Sequence, residues 1–399
     1  MPIGTALHER TFPLCESLNY REWSGYYTVS AYESHHEHEY NAIRNAAALI
    51  DVSPLFKYMV TGPDAARLVD RIITRDVSKM AIGQVYYTPW CDEHGKVIDD
   101  GTVSRLDDRA FRWTAADPSL RWFRMNAQGM NVRIDDVSEA VAAVALQGPT
   151  SARVLRAVAK ADIDPLKYFR VIPATIAGVG VDISRTGYTG DLGYEIWMPA
   201  ERAVEVWDAL MTGGRPFDIK PAGMLALDVA RIEAGLLLIE VDVFSSRKAM
   251  IPSQMYTPYE LGMGRLVSLD KARFIGQRAL REEHARGHAR QIVGLEIDWT
   301  DVEKLYDAVG LAPAVAATAS RVAVPVYRGS RQVGKATSTT WSPVLKRMIA
   351  LATVERPHYA EGTELQFEMT VEAVRHRVTA KVVKTPFFNP ARKTAAPPA

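Results

Sequence analysis

Past Gln291 the chain changes rhythm, and this change restricts its fold more than any other feature. Six short runs, 292–297, 323–327, 332–337, 348–354, 364–368 and 377–383, read as β-strands separated by turn residues. A row of short strands protects its edges by curling into a barrel or stacking as a sandwich, so 289–388 is predicted as a β-barrel-like domain. One segment, 298–320, interrupts the series with Val302, Tyr306 and an alanine-rich run, and is read as an inserted loop or helix pair. The Ala- and Pro-rich end, 389–399, is predicted as a disordered tail.

Upstream, helices and strands interleave. A polar helix with one apolar stripe is predicted over 33–48, followed by a strand at 56–60 and a helix at 65–73 opened by Gly62-Pro63-Asp64. Strand-like runs at 85–89, 97–106 and 111–114, a helix at 118–127 and a strand at 132–134 complete that stretch. Further helices are predicted at 150–158, 201–212 and 224–235; in the last, Leu225, Val229 and Ile232 share one face. This alternation predicts an α+β core over 1–288, and 399 residues are enough for two or three domains.

Composition narrows the function classes. Forty-eight basic against forty-seven acidic residues leave a net charge of +1, which offers no field for nucleic acid or an anionic membrane and favours a small-molecule partner. Two cysteines, Cys15 and Cys91, are too few for a disulfide framework or a structural zinc site. No run approaches the ~20 apolar residues of a membrane helix, and the polar opening lacks a signal-peptide core, so a cytoplasmic location is expected.

Two stretches carry the chemistry. In Ser184-Arg185-Thr186-Gly187-Tyr188-Thr189-Gly190-Asp191-Leu192-Gly193-Tyr194-Glu195-Ile196, glycines allow positive φ and close backbone approach, Tyr188 and Tyr194 offer flat faces, and Glu195 stands at the rim of a strand. Taken alone, the same stretch also fits a hairpin turn with an exposed glutamate. In the second stretch, Asp92-Glu93-His94-Gly95 turns between two strands, so Tyr87 and Asp100 can face one site. Alternation sends Asp99 and Asp100 to opposite faces. The cluster His35-His36-Glu37-His38-Glu39 lacks a His-Glu-x-x-His spacing and reads as a polar helix face, so no metal site is expected; Cys91 reads as a small buried hydrophobe.

These stretches, with Gly95-Lys96-Val97-Ile98-Asp99-Asp100, Arg231-Ile232-Glu233-Ala234-Gly235, Phe274-Ile275-Gly276-Gln277-Arg278-Ala279-Leu280 and Gln332-Val333-Gly334-Lys335, resemble the glycine-cleavage T-protein (aminomethyltransferase) family. The likeness runs in order from about residue 40 to Phe388. It implies a three-domain cloverleaf, with two discontinuous α+β domains, one ferredoxin-like, and a C-terminal barrel, around a channel for tetrahydrofolate. It also implies Glu195 as the pterin anchor, Tyr87 and Tyr188 as aromatic contacts, Arg231 as a further site residue and Asp100 as the catalytic carboxylate. The partners it implies are a small-molecule methyl or aminomethyl donor and, in one version, a lipoyl carrier protein.

The chain departs from this pattern at Leu227, where the family usually has arginine, at Gly101-Thr102, which are expected to open space beside Asp100, and in the 298–320 insertion. These departures favour a demethylase of a small methylated compound over the strict aminomethyl transferase. Two other readings stay open: a non-catalytic folate-binding protein, whose Lys-Gly-Cys-Tyr-x-Gly-Gln element is missing at Lys271–Gln277, and the folate module of a flavoprotein, whose Gly-x-Gly-x-x-Gly opening is missing too.

Overall fold

The computed structural model describes residues 1–397. Its C-terminal part is a closed six-stranded barrel in the order Arg290–Ile297, Arg347–Glu355, Arg331–Ser342, Val324–Arg328, Glu364–Val371 and Val374–Val383. Closure comes from Arg290–Ile297, which pairs antiparallel with both Arg347–Glu355 and Val374–Val383. Alternate residues such as Val293, Leu295, Ala352, Phe367 and Val382 fill the interior. The strand Arg331–Ser342 runs past the predicted 332–337, because its second half is a row of hydroxyl residues rather than an apolar run.

The insertion contains one helix, Trp299–Asp307, where a helix pair or loop was expected. Asp298 caps it by accepting from the amides of Thr300 and Asp301 at 2.9 and 3.3 Å. Gly310, at φ +72°, and Pro313 then stop helical continuation, and the alanine-rich run stays irregular as far as Ser320.

Two sheets form the α+β part. The first has six strands in the order Val171–Ile176, Val179–Ser184, Gly193–Pro199, Val141–Gln147, Ala47–Asp51 and Ile219–Pro221. The second, Val85–Cys91, Val97–Asp107, Ala110–Ala115, Phe56–Thr61 and Arg133–Asp136, is made wholly from residues that lie between Asp51 and Val141. The chain thus leaves the first sheet, builds the second and returns. One predicted helix is corrected here: only Glu37–Asn45 is helical, and Ala47–Asp51 is a strand flanked on both sides by neighbours. A short run buried on both faces has no alternation to reveal it. The first residues form a three-stranded sheet of Ile3–Gly4, Tyr26–Ala31 and Asn19–Trp23.

Candidate active site

The hairpin of Val85–Cys91 and Val97–Asp107 turns at Gly95, whose φ is +73°. Asp92 steadies the turn by accepting from the amides of His94 and Lys96, each at 2.9 Å. Pro89 faces Asp100 and Tyr87 faces Thr102, so Tyr87 and Asp100 are diagonal neighbours on one face. The Tyr87 phenol donates to Asp100 Oδ2. Burial pushes the Asp100 carboxyl up to about 6, against the opposing effect of the Tyr87 hydrogen bond. Besides Tyr87, no other described residue donates to the Asp100 carboxylate. Asp99 points the other way, is fully buried, and accepts from the amides of Asp100 and Asp117 at 2.8 and 3.0 Å.

Gly101 does not open space beside Asp100, as the sequence had led us to expect. A Cβ there would stand 2.0 Å from the Thr114 carbonyl oxygen, on the opposite face of the strand, so glycine is demanded by the neighbouring strand.

Glu195 lies on Gly193–Pro199, opposite Ser184 on one side and Ala145 on the other. The Thr186 hydroxyl donates to its Oε2, and Oε1 makes no hydrogen bond among the described residues. Burial raises its pKa, while Thr186 and the charge of Arg112 oppose the rise. Arg112 itself is buried, stacks 4.7 Å from the Trp197 ring centroid and pairs with Asp182. Its Nε and Nη2 are buried without a partner. Arg112 was not singled out from the sequence, because nothing local distinguishes it from other strand arginines.

Tyr188 donates its hydroxyl to the Leu237 carbonyl, which fixes the ring. Burial raises its pKa most; Arg231 opposes, and the charges of Asp100, Asp242 and Asp228 add to the rise. The Tyr87 phenol is likewise raised, by burial first, then by Asp100, with Tyr188 contributing. Tyr87, Asp100, Tyr188 and Glu195 all keep some exposed surface while burial dominates their shifts. Tyr87, Asp100 and Tyr188 lie near enough for their charges to act on one another, whereas Glu195 is linked to Thr186 and Arg112. Tyr194, by contrast, is fully buried in the core of the six-stranded sheet and offers no face to a ligand.

The glycine-rich stretch owes its glycines mostly to packing. Only Gly190 has a positive φ, +71°; a Cβ on Gly187 or Gly193 would lie 2.1 or 2.2 Å from Gln147 Oε1. The Gln147 amide runs under the loop, donating to the Thr186 and Tyr194 carbonyls at 3.3 and 3.2 Å and accepting from Thr189 at 2.8 Å.

Arg231 is fully buried, and its guanidinium reaches Asp242 at 2.6 Å and Ser338 at 2.8 Å. A bulge between Ala336 and Ser338 lets Thr337 and Ser338 both donate to Asp242 Oδ1 at 2.6 Å. Expected as a site residue, Arg231 presents no surface to a ligand; it joins the wall behind Tyr188 to the barrel.

A second buried hub holds the loop from behind. Arg44 donates to Glu233 Oε2 through Nε at 2.9 Å and Nη2 at 2.6 Å, and to the carbonyls of Thr189 and Ala230 at 2.9 and 3.1 Å. The segment expected to be a disordered tail is part of this hub: Arg392 binds both oxygens of Asp191 at 2.6 and 2.8 Å, and Arg185 donates to the carbonyls of Arg392, Lys393 and Ala395. The Arg392–Asp191 ion pair and the hydrogen bonds from Arg185 hold residues 392–395 where composition alone predicts disorder; residues 398–399 lie outside the described residues.

In the histidine-rich stretch, Glu39 is buried and accepts from the amides of Tyr32 and Gly223, both at 2.6 Å, so it is not part of a polar helix face. Among the described residues, no group of three or more His, Cys, Asp or Glu could hold a metal ion, and no helix is long and apolar enough to cross a membrane.

A barrel joined to two interleaved α+β sheets, with a half-buried carboxylate–phenol pair on the hairpin of the second sheet, defines a class. Residues 16–271 match the family model described as the GCVT N-terminal domain, and 290–389 match the glycine cleavage T-protein C-terminal barrel domain; the chain belongs to the glycine-cleavage T-protein family. It is 34% identical to the trimethylamine-oxide aldolase of Ruegeria pomeroyi, over 98% of this chain but 47% of that protein, so it spans about half of that relative's length. It is 33% identical to the aminomethyltransferase of Halothermothrix orenii, over 88% of this chain and 90% of that one. The crystal structure of the glycine cleavage system aminomethyltransferase T from Bartonella henselae shares the fold, with a TM-score of 0.81 at 23% identity over 98% of this chain and 99% of that one.

Proposed function

We propose that the chain is a tetrahydrofolate-dependent one-carbon transferase that moves a methyl or aminomethyl carbon from a small donor, with the demethylase version favoured. The observation that carries this reading is the Tyr87–Asp100 pair, in which burial brings the carboxyl to a pKa of about 6. Such a group exchanges protons near neutrality, as general acid–base chemistry requires.

The residues fit a folate. The pterin edge offers two N–H donors beside a carbonyl, and Glu195 supplies a carboxylate with Oε1 free for the donors. Arg112, whose two unpartnered nitrogens are buried and closed to a ligand, acts on the site through its charge on Glu195. When bound, tetrahydrofolate supplies the nitrogen nucleophile that accepts the carbon. Asp100 holds or takes the proton displaced at that nitrogen and stabilises positive charge developing there. Tyr87 fixes the carboxylate's orientation, and Tyr188 provides a flat wall whose hydroxyl is already engaged.

Glu195→Gln keeps the shape and loses the charge. Charge-assisted hydrogen bonds are worth about 1.5–3 kcal/mol, so the KM for tetrahydrofolate should rise about 10- to 100-fold, with a smaller change in kcat. An unchanged KM would remove Glu195 from the folate contact.

With the carboxylate as the active form, activity should fall as pH drops through about 6. Tyr87→Phe removes a hydrogen bond that favours the charged carboxylate, so the acidic limb of the pH–rate profile should move to higher pH. A limb that stays in place would uncouple Tyr87 from Asp100.

A second reading, glycine-cleavage aminomethyl transfer from a lipoyl carrier protein, is favoured by relatives such as the Halothermothrix orenii aminomethyltransferase, matched over 90% of its length. The donors decide between them. The protein is incubated with tetrahydrofolate and either methylated small molecules or glycine with lipoylated carrier protein, and the folate product is identified. Methyltetrahydrofolate supports the demethylase; methylenetetrahydrofolate supports the carrier-dependent reaction; no product from any donor overturns both.

A further inference from the structure

Two opposite charges are buried in the glycine-rich loop, and the end of the chain satisfies both. Asp191 has no exposed side-chain surface, and Arg392 binds its two oxygens at 2.6 and 2.8 Å. Arg44, occupied with Glu233 and two carbonyls, reaches the same carboxylate only at 3.4 Å. Arg185 is buried as well. Its Nη1 donates to the Leu166 carbonyl at 3.1 Å and its Nε has no partner, while Nη2 finds its acceptors on the tail, at the carbonyls of Arg392, Lys393 and Ala395. The loop's anion thus takes the tail's cation, and the loop's cation takes the tail's carbonyls.

The tail is fixed where it leaves the barrel. The Phe388 amide donates to the Glu233 carbonyl at 2.9 Å, and Arg392 Nη2 donates to the Arg44 carbonyl at 3.2 Å.

Short steps join these contacts to Glu195. Arg185 precedes Thr186, whose hydroxyl donates to Glu195 Oε2. Asp191 accepts from the Leu192 amide at 2.8 Å, one residue before the strand that carries Glu195. On the tail's other side, Lys393 Nζ stands 5.8 Å from the centroid of the Tyr168 ring, and Tyr168 feels the charge of Glu195. Without the tail, Asp191 would keep one long ion pair and Arg185 Nη2 no acceptor. Buried charges stripped of their partners force the backbone that carries them to move toward water.

We propose that residues 388–395 are a strap that holds the glycine-rich loop in its ligand-binding form, with Arg392 the positioning residue for Glu195. This rests on the reading of Glu195 as the anchor for tetrahydrofolate. A closed strap and a bound ligand favour the same loop form, so each strengthens the other by the same factor.

Trypsin reads the strap directly, because Arg392 and Lys393 are themselves cleavage sites and cleavage tracks how often the segment opens. In limited digestion of the full chain, saturating tetrahydrofolate should slow cleavage after these two residues by about 5-fold or more, and leave cleavage after Arg328, in an exposed barrel turn, unchanged. A chain ending at Pro390 should bind tetrahydrofolate more weakly by the same factor in equilibrium dialysis. Arg392→Gln should show part of that loss, and Arg392→Lys, which keeps the charge, should recover some of it. Tail cleavage indifferent to bound tetrahydrofolate, equal slowing after Arg328, or full affinity in the shortened chain overturns the strap and leaves the folate site standing. Failure of the unaltered chain to bind tetrahydrofolate overturns the reading of Glu195, and the strap with it.

Discussion

Asp100→Asn is expected to lower turnover by about 10²–10⁴-fold, the usual contribution of a positioned acid–base group, while folate binding changes little. Asparagine keeps the size and can still accept from Tyr87, but it cannot take up or release the proton. The same change should stabilise the protein at neutral pH. Burial raises the Asp100 pKa from 3.8 to about 6, so between those values the native state holds a proton that the unfolded chain has released. Wild-type stability from this group is therefore lost as pH rises through that window, and the full penalty of a buried charge is present above about 6. The advantage of Asp100→Asn should be absent at the acid end of the window, grow across it and level off above. Urea midpoints of both proteins across that range, with turnover beside them, check both halves. Unchanged turnover would remove Asp100 from the chemistry; a variant less stable than wild type at neutral pH would show that its charge is better solvated than the geometry indicates.

Arg44→Met should destabilise the protein by about 3–5 kcal/mol, the cost of breaking a buried ion pair from one side. Arg44 is 3% exposed, and each of its guanidinium nitrogens is bonded within the protein. Methionine would leave Glu233 charged in the core, supported only by the hydroxyls of Tyr40 and Ser342, each at 2.6 Å. It would also strip the donor from the Thr189 carbonyl, in the middle of the glycine-rich loop, and the cation from over the Phe388 ring, 4.6 Å away. Replacing Glu233 by methionine as well should recover part of the loss, because no uncompensated charge then remains. A denaturant midpoint for Arg44→Met within the range of surface substitutions would show that the hub contributes little.

What could be read from the chain follows the reach of local periodicity. The barrel strands announced themselves because each alternates over a few residues, and the Tyr87–Asp100 diagonal follows from the Asp92–Gly95 turn once two strands flank it. Alternation also separates Asp99 from Asp100 correctly, since neighbours on a strand face opposite ways. Ala47–Asp51 escaped because a strand buried on both faces carries no such alternation. Gly101, Gly187 and Gly193 were misread for a related reason: a glycine in sequence does not say whether a ligand, a positive φ or a neighbouring carbonyl requires it.

By itself, then, the sequence determined the α+β and barrel classes, the family, and the hairpin that presents Asp100. Tertiary structure alone decided which charges meet. It brings Arg392 to Asp191 across 201 residues, Arg44 to Glu233 across 189 and Arg21 to Asp228 across 207. Its effects on Arg231 and Arg112 are opposite: it commits Arg231 to Asp242 and leaves two nitrogens of Arg112 without partners. Side-chain period is a property of chain neighbours, whereas the partner of a buried charge is set by where distant segments are packed, and no local pattern encodes it.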